Sequence, residues 1–282
     1  SLSVVEFFPD AEELFGDAAS LSDGITIVTK NHKKTSDGFT YIYSKKGDSF
    51  SIHADNPGGN LMPLDPHDLP IEQKINAGIK NHGLNFLHDT ILPRSLFPIE
   101  SDFAEKNPSK VRRYNGFDED IDFSSEIKLF TNDKAGKAGR ATWFIASRDV
   151  ITRNEDYISQ WQVVVSSANA GGQKRDNQLE IIDNHSAFGR SRLALRSFST
   201  HEEAKNFFDY VSSYFVRYAF LLTDEALTSL GKEVPDIKDY TDGNPFIDFK
   251  RNIDVQLCQL FGISDDEFEY MRNRVMSLRG EA

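Results

Sequence analysis

Leu193-Ala194-Leu195-Arg196-Ser197-Phe198-Ser199-Thr200-His201-Glu202-Glu203-Ala204-Lys205-Asn206-Phe207-Phe208 is the stretch whose reading decides the fold. Leu193, Leu195 and Phe198 set an apolar pattern suited to a strand with one buried face. Thr200-His201-Glu202-Glu203 then has the form of a capping box, in which the Thr hydroxyl accepts from the third helical N–H and the Glu reaches back to the cap. Ala204, Phe207, Phe208, Val211, Phe215, Tyr218 and Leu222 continue at helical spacing, so one helix is expected from the cap to about Leu222. A strand running into such a helix implies a helix packed on a sheet, with its aromatics as core.

Upstream, Ile127 to Phe130, Ala141 to Ala146 and Trp161-Gln162-Val163-Val164-Val165 are further strand-like runs. Separated by turns, they predict an antiparallel sheet. Residues 69 to 92 carry helical apolar spacing at Leu69, Ile71, Ile75, Ile79 and Leu84, weakened by Gly78 and Gly83; residues 93 to 125 read as mostly irregular. At the start, Val4 to Phe8 precedes a short amphipathic piece, Asp10 to Phe15. The two β-rich runs Gly24 to Val28 and Phe39 to Tyr43 are expected to pair. Asn56-Pro57-Gly58-Gly59-Asn60, followed by Pro63, Pro66 and Pro70, is the clearest break, dividing a β-rich segment, 1–60, from a larger domain, 61–282. Ser264-Asp265-Asp266-Glu267 repeats the capping box after Phe261-Gly262, so a helix pair closes the chain. The fold class is α+β: an antiparallel sheet packed with helices, a helical C-terminus and a small N-terminal β-rich segment.

Composition narrows the function. Of 282 residues, 39% are hydrophobic, 22 are Phe and 27% are charged, the profile of a globular chain. The single cysteine, Cys258, excludes an internal disulfide framework, and no run approaches the ~20 apolar residues of a membrane span. No membrane association and a cytoplasmic location are expected. A net charge of -12 opposes non-specific DNA binding, which depends on cations. Its distribution is uneven: residues 134–200 hold 10 Lys and Arg against 6 Asp and Glu, so one segment is basic within an acidic chain.

Catalytic constellations are poorly supported. Seven scattered His and one Cys give no zinc spacing. Asp118, Asp120 and Asp122 match the first ligands of a calcium loop, but Phe123 stands where that loop needs Gly and Leu129 where it needs Glu, so a solvated acidic turn is expected. Glu126-Ile127-Lys128 has the Glu-x-Lys form of metal-dependent nucleases, with both side chains on one strand face and Asp120 or Asp122 as a distal acid. No nucleotide-binding glycine loop is present, and Asn244-Pro245-Phe246 has one Pro too few for an adenine-holding motif. What remains is binding. Lys174-Arg175 follow the flexible Ala170-Gly171-Gly172 turn, Arg190, Arg192 and Arg196 lead into the strand before the capped helix, and Lys137 and Arg140 sit in the turn Ala135 to Gly139. These seven are the candidate DNA-binding residues, since Arg grips phosphates bidentately or reads guanine.

The order of blocks resembles the target-recognition region of adenine-specific DNA methyltransferases of type II restriction-modification systems, in the subgroup where methyltransferase and endonuclease share one polypeptide. The likeness is carried by Trp161 to Ala168, the Gly171-Gly172 turn, Leu193 to Ser199, Thr200 to Asn206 and Tyr210 to Tyr218. It continues in Val234-Pro235-Asp236, Asp254 to Leu257 and Phe261 to Ser264, and upstream in Phe7 to Ala11, Phe15, Ser22 to Thr26 and Leu92 to Phe97. The resemblance implies double-stranded DNA as partner and a methyltransferase catalytic domain, on the same polypeptide or another subunit, that carries the S-adenosylmethionine. It places residues 1–60 at the end of that catalytic domain, or docked to it. The methyl-donor and Asn-Pro-Pro-Tyr motifs have no place in this sequence, so the chain itself is expected to hold no cofactor, no metal and no catalytic residue. Gly243 to Arg251 is an insertion relative to the family pattern. Two alternatives stand beside this reading: a magnesium-dependent endonuclease using Glu126 and Lys128, and a non-enzymatic protein-interaction module with an acidic surface and Phe-rich helices.

Overall fold

The computed structural model describes residues 2–16, 24–32, 38–57, 62–136, 139–167, 179–223 and 230–279. The chain divides into two compact units, residues 1–77 and 78–282. Among the described residues no helix is long and apolar enough to cross a membrane.

The first unit contains strands β1 (Leu2–Phe8), β2 (Ile25–Lys30), β3 (Gly38–Lys45) and β4 (Asp48–Asp55), with the short helix α1 (Glu12–Phe15) after β1. The sheet order is β2-β1-β3-β4. The two β-rich runs therefore do not pair with each other: β1 lies between them, antiparallel to β2 and parallel to β3. Lys46 and Gly47, both at positive φ, close a two-residue hairpin between β3 and β4, the turn whose twist suits antiparallel strands. Phe7, Phe39, Tyr41 and Ala54 form one buried face together with Leu69. The Tyr41 hydroxyl donates to the Pro63 and Leu64 carbonyls at 2.7 and 2.6 Å. These bonds tie the proline-rich stretch back onto the sheet, and the first compact unit runs to residue 77, inside the helix α2 (Leu69–Asn81).

That helix ends at Gly83, which takes positive φ while Leu84 N–H donates to Ile79 and Gly83 N–H to Lys80, a Schellman closure. Gly78, a weak helix former, is present for packing: a Cβ there would lie 2.3 Å from the Phe261 ring.

The larger unit continues with β5 (Asn85–Phe86), α3 (Phe103–Lys106), β6 (Val111–Arg113), β7 (Glu126–Asn132), β8 (Ala141–Ser147), β9 (Trp161–Ser166), β10 (Leu179–Ile182), β11 (Ser186–Phe188) and β12 (Arg192–Phe198). The helices α4 (His201–Ser212) and α5 (Tyr214–Leu221) follow, then β13 (Pro235–Asp236), paired with β5, and the helices α6 (Ile253–Phe261) and α7 (Asp265–Arg279). The expected antiparallel sheet is two sheets. One, in the order β10-β9-β12, is antiparallel; the other, β11-β7-β8-β6, includes a parallel pair between β11 and β7. Val164, Ile182 and Ala194 of the first share a core with Ile127, Leu129, Phe144 and Ala187 of the second. The opposite face of the three-stranded sheet, with Val163, Val165, Leu193 and Leu195 buried, is covered by α4, which buries Ala204, Phe207 and Val211. Alternation along three strands thus builds a helix-on-sheet-on-sheet sandwich, an α+β fold.

The capping box forms as expected, with Glu203 N–H donating to Thr200 Oγ1 and Thr200 N–H to the Glu203 carboxylate. The predicted continuous helix does not. Ser213 is extended, its hydroxyl donating to the Tyr210 carbonyl and accepting from Val216 N–H, so it ends α4 and caps α5. The second capping box, Ser264 with Glu267, opens α7 after Gly262 adopts the left-handed conformation that stops α6.

Candidate nucleic-acid interface

Three basic segments far apart in sequence leave the larger unit at neighbouring strand ends. Asn132 closes β7 where the 133–140 turn begins. Ser166 closes β9 and Leu179 opens β10, on either side of the segment that carries Lys174 and Arg175. Arg192 opens β12. Ser191 joins them: its hydroxyl donates to Asn132 Oδ1 at 3.2 Å, and its carbonyl accepts from Ser167 N–H at 2.9 Å. Gly189 N–H donates to the Phe130 carbonyl at 3.0 Å. Any side chain at Gly189 would strike Thr131, whose Oγ1 lies 2.3 Å from the Cβ position, so this glycine permits the close approach. Lys137, Lys174 and Arg175 lie outside the described residues.

Arg140 is exposed in the β7–β8 turn, its N–H donating to Asp133 Oδ1 at 2.8 Å. Arg113, on the edge strand β6, reaches Asp133 Oδ2 at 3.8 Å and lies over the Phe144 ring. Lys134 is exposed beside them. The Asp133 carboxyl is held below its ordinary range by the Arg140 N–H first, with Arg113 and Lys134 adding to the effect. Arg113 and Lys134 act on Asp133 through their charge and Arg140 through its backbone N–H, while Glu105 accepts from Ala135 N–H in the same turn at 2.7 Å, so three cations meet two carboxylates at this corner. Arg113 escaped the sequence reading because residues 93–125 looked irregular, the short β-compatible run Val111-Arg112-Arg113 being the available signal; Lys134 opens the basic segment 134–200 but precedes the Ala135–Gly139 turn from which candidates were drawn.

The three arginines of the 190–196 segment have different fates. Arg190 is exposed and ion-paired with Glu100 at 2.8 Å. Arg192 is buried on the Phe130 ring. Arg196, beyond a bulge in β12, donates to Asp236 Oδ1 at 2.8 Å and to the Lys238 carbonyl at 2.9 Å, with its guanidinium over Phe198 and Tyr240. Asp236 also accepts from Lys238 N–H and the Tyr240 hydroxyl. Arg196 therefore fastens β12 to the segment around β13 and is not brought into the basic corner.

The other end of β7 carries the Glu-x-Lys pair. As alternation requires, Glu126 and Lys128 share a face, but each is already engaged: Glu126 accepts from Arg112 at 3.0 Å, while Lys128 is ion-paired with Asp183 and, at 3.3 Å, with Asp118. Burial lowers the Lys128 ammonium pKa, and the two carboxylates outweigh it, raising it overall. The acid nearest the Lys is Asp183, from the β10–β11 turn, instead of Asp120 or Asp122. Asp118 accepts from the Tyr114 hydroxyl, and Asp122 from Ser124 and Ser125, as solvated turn residues do. Among the described residues no group of three His, Cys, Asp or Glu side chains is arranged to hold a metal ion. Asn244 Oδ1 accepts from Phe246 and Ile247 N–H, which makes Asn244-Pro245-Phe246 a side-chain-braced turn.

Compared with known proteins, the sequence matches no family model and no curated protein.

Proposed function

We propose that the larger unit reads duplex DNA as the target-recognition part of an adenine-specific methyltransferase of a type II restriction-modification system. S-adenosylmethionine and methyl transfer, and any cleavage, belong to catalytic domains joined to it covalently or as a subunit, in a cytoplasmic setting. The observation that carries this reading is the bridge at Ser191, which brings the turn bearing Lys134 and Arg140 and the strand ends flanking residues 168–178 to one corner of an otherwise acidic chain. Cations so grouped hold phosphates and fix the register of a duplex, leaving recessed groups to meet base edges. The order of sequence blocks, which resembles that of methyltransferase recognition regions, supports the same reading. The nuclease alternative requires Lys128 to leave two carboxylates and is not favoured.

The test is duplex binding across a salt series. Affinity is expected to fall steeply with salt, and Arg140→Ala and Lys134→Ala each to reduce the slope of log affinity against log salt by about 1. No duplex retention at low salt, with the catalytic portion attached, overturns the proposal.

A further inference from the structure

Arg192 stands where β12 begins, at the junction of the two sheets, and is 8% exposed. Its guanidinium lies 5.2 Å from the centroid of the Phe130 ring, which packs 4.9 Å from the Trp143 ring. Nη1 donates to the Ser191 carbonyl at 3.0 Å. Among the described residues no carboxylate comes within ion-pair reach of it; Glu180, on β10, acts only through space. Burial lowers the guanidinium pKa, and Glu180 offsets part of that effect. A withdrawn charge without a counter-ion is costly, and protein interiors ordinarily supply one. This chain does so for Lys128 and for Arg196. The buried side-chain atoms left without a partner include Thr131 Oγ1 and Gln162 Oε1 but, among the described residues, none of the Arg192 nitrogens.

Among the described residues the arrangement is a planar fork fixed on a ring, tethered by one hydrogen bond, with Glu180 acting on it only from a distance, and set where β12 begins beside the Ser191 bridge. We propose that Arg192 is a base-reading residue whose Nε–Nη2 edge takes the N7 and O6 acceptors of a guanine in the target sequence. The assignment rests on the DNA-reading proposal above. A guanine edge is favoured over a phosphate on two grounds. Phosphate contact needs only charge at an exposed position, which Lys134 and the exposed Arg113 and Arg140 occupy, whereas a base edge rewards a fork of fixed plane held back from competing water.

Duplexes selected from a random pool by the full 282-residue chain give the test. The selected motif is expected to contain a guanine whose replacement by 7-deazaguanine, which lacks the N7 acceptor, weakens wild-type binding about 10-fold. Arg192→Lys, which keeps the charge and loses the fork, is expected to lose preference at that position, become indifferent to 7-deazaguanine and bind unselected duplexes as the wild type does. The deazaguanine arm uses wild-type protein, so misfolding of the variant cannot mimic the result. An unchanged motif in Arg192→Lys overturns the assignment. So does a uniform loss across all duplexes, which marks a phosphate contact, and so does wild-type protein that binds DNA without selecting a motif. Failure of the wild type to retain any duplex at low salt, with the catalytic portion attached as well as without it, overturns the parent reading too.

Discussion

Lys128 and Arg192 are both cations withdrawn from solvent in the larger unit, 7% and 8% exposed, and they differ in what surrounds them. Lys128 points at Asp183 and Asp118, with the Tyr114 and Phe123 rings alongside. Among the described residues Arg192 has a ring beneath it and one carbonyl as hydrogen-bond partner. The first cation is consumed by the fold, holding the β10–β11 turn and the 114–118 turn against β7. The second, among the described residues, is supported by a ring and has no ion pair, only the distant Glu180. Burial alone therefore does not sort these two cations; the nearness of a counter-ion does.

The contrast can be broken by substitution. Arg196, with the deeply buried Asp236, extends the Lys128 type, and Arg196→Ala should have the largest effect, about 3 kcal/mol or more of lost stability in denaturant unfolding, because it leaves a buried carboxylate without its cation. Lys128→Met should cost less, about 2 kcal/mol, since Asp118 is half-exposed and Asp183 keeps some contact with solvent. Arg192→Met breaks no close ion pair, removing only the distant attraction to Glu180, and should change stability by about 1 kcal/mol, less than Lys128→Met, while reducing sequence preference. If Arg192→Met destabilised as much as Lys128→Met, the distinction between the two cations would be lost.

The smallest effect is in the pH profile. Asp118 is held below its usual range of about 3.8 by the Tyr114 hydroxyl and by Lys128, so its contribution is present above the unfolded carboxylate pKa and lost as pH falls through the lower folded value. Lys128 is raised above 10.5, so its contribution is complete below that value and lost as pH rises through the higher folded one. The difference in melting temperature between wild type and Lys128→Met should therefore form a plateau at intermediate pH and shrink at both extremes.

Local chemistry was readable from the sequence where a few neighbouring residues decide it. Thr200 with Glu203 and Ser264 with Glu267 each complete a reciprocal hydrogen-bond pair within four residues, so their pattern specifies the helix start. Strand partners were not readable. β1 pairs with both β2 and β3, and β11 crosses to β7, because these choices depend on which apolar faces meet, not on the strands themselves. Ser213 was missed because its hydroxyl can serve equally in a helix or as a cap, and the extended backbone there decides the matter. For the site, composition identified the basic segment, but only the folded geometry sorts its arginines. Arg190, Arg192 and Arg196 look alike in sequence and end up in a surface ion pair, buried on an aromatic ring and in an internal fastener.

The parallel pair between Ser186–Phe188 and Lys128–Phe130 also imposes an order on assembly. β7 and β8 can form their hairpin as soon as residue 147 is available, but the outer edge of β7 must wait until residue 188 has been made. Three-residue β11 supplies that edge, and Asp183, just before it, supplies the partner of Lys128. Until then the hydrogen-bonding groups beside Ile127, Leu129 and Phe130 stay open, an apolar strand edge of the kind that invites pairing between chains. Closing this long-range contact should slow folding, and a chain interrupted before residue 188 would expose a sticky edge that the finished protein hides.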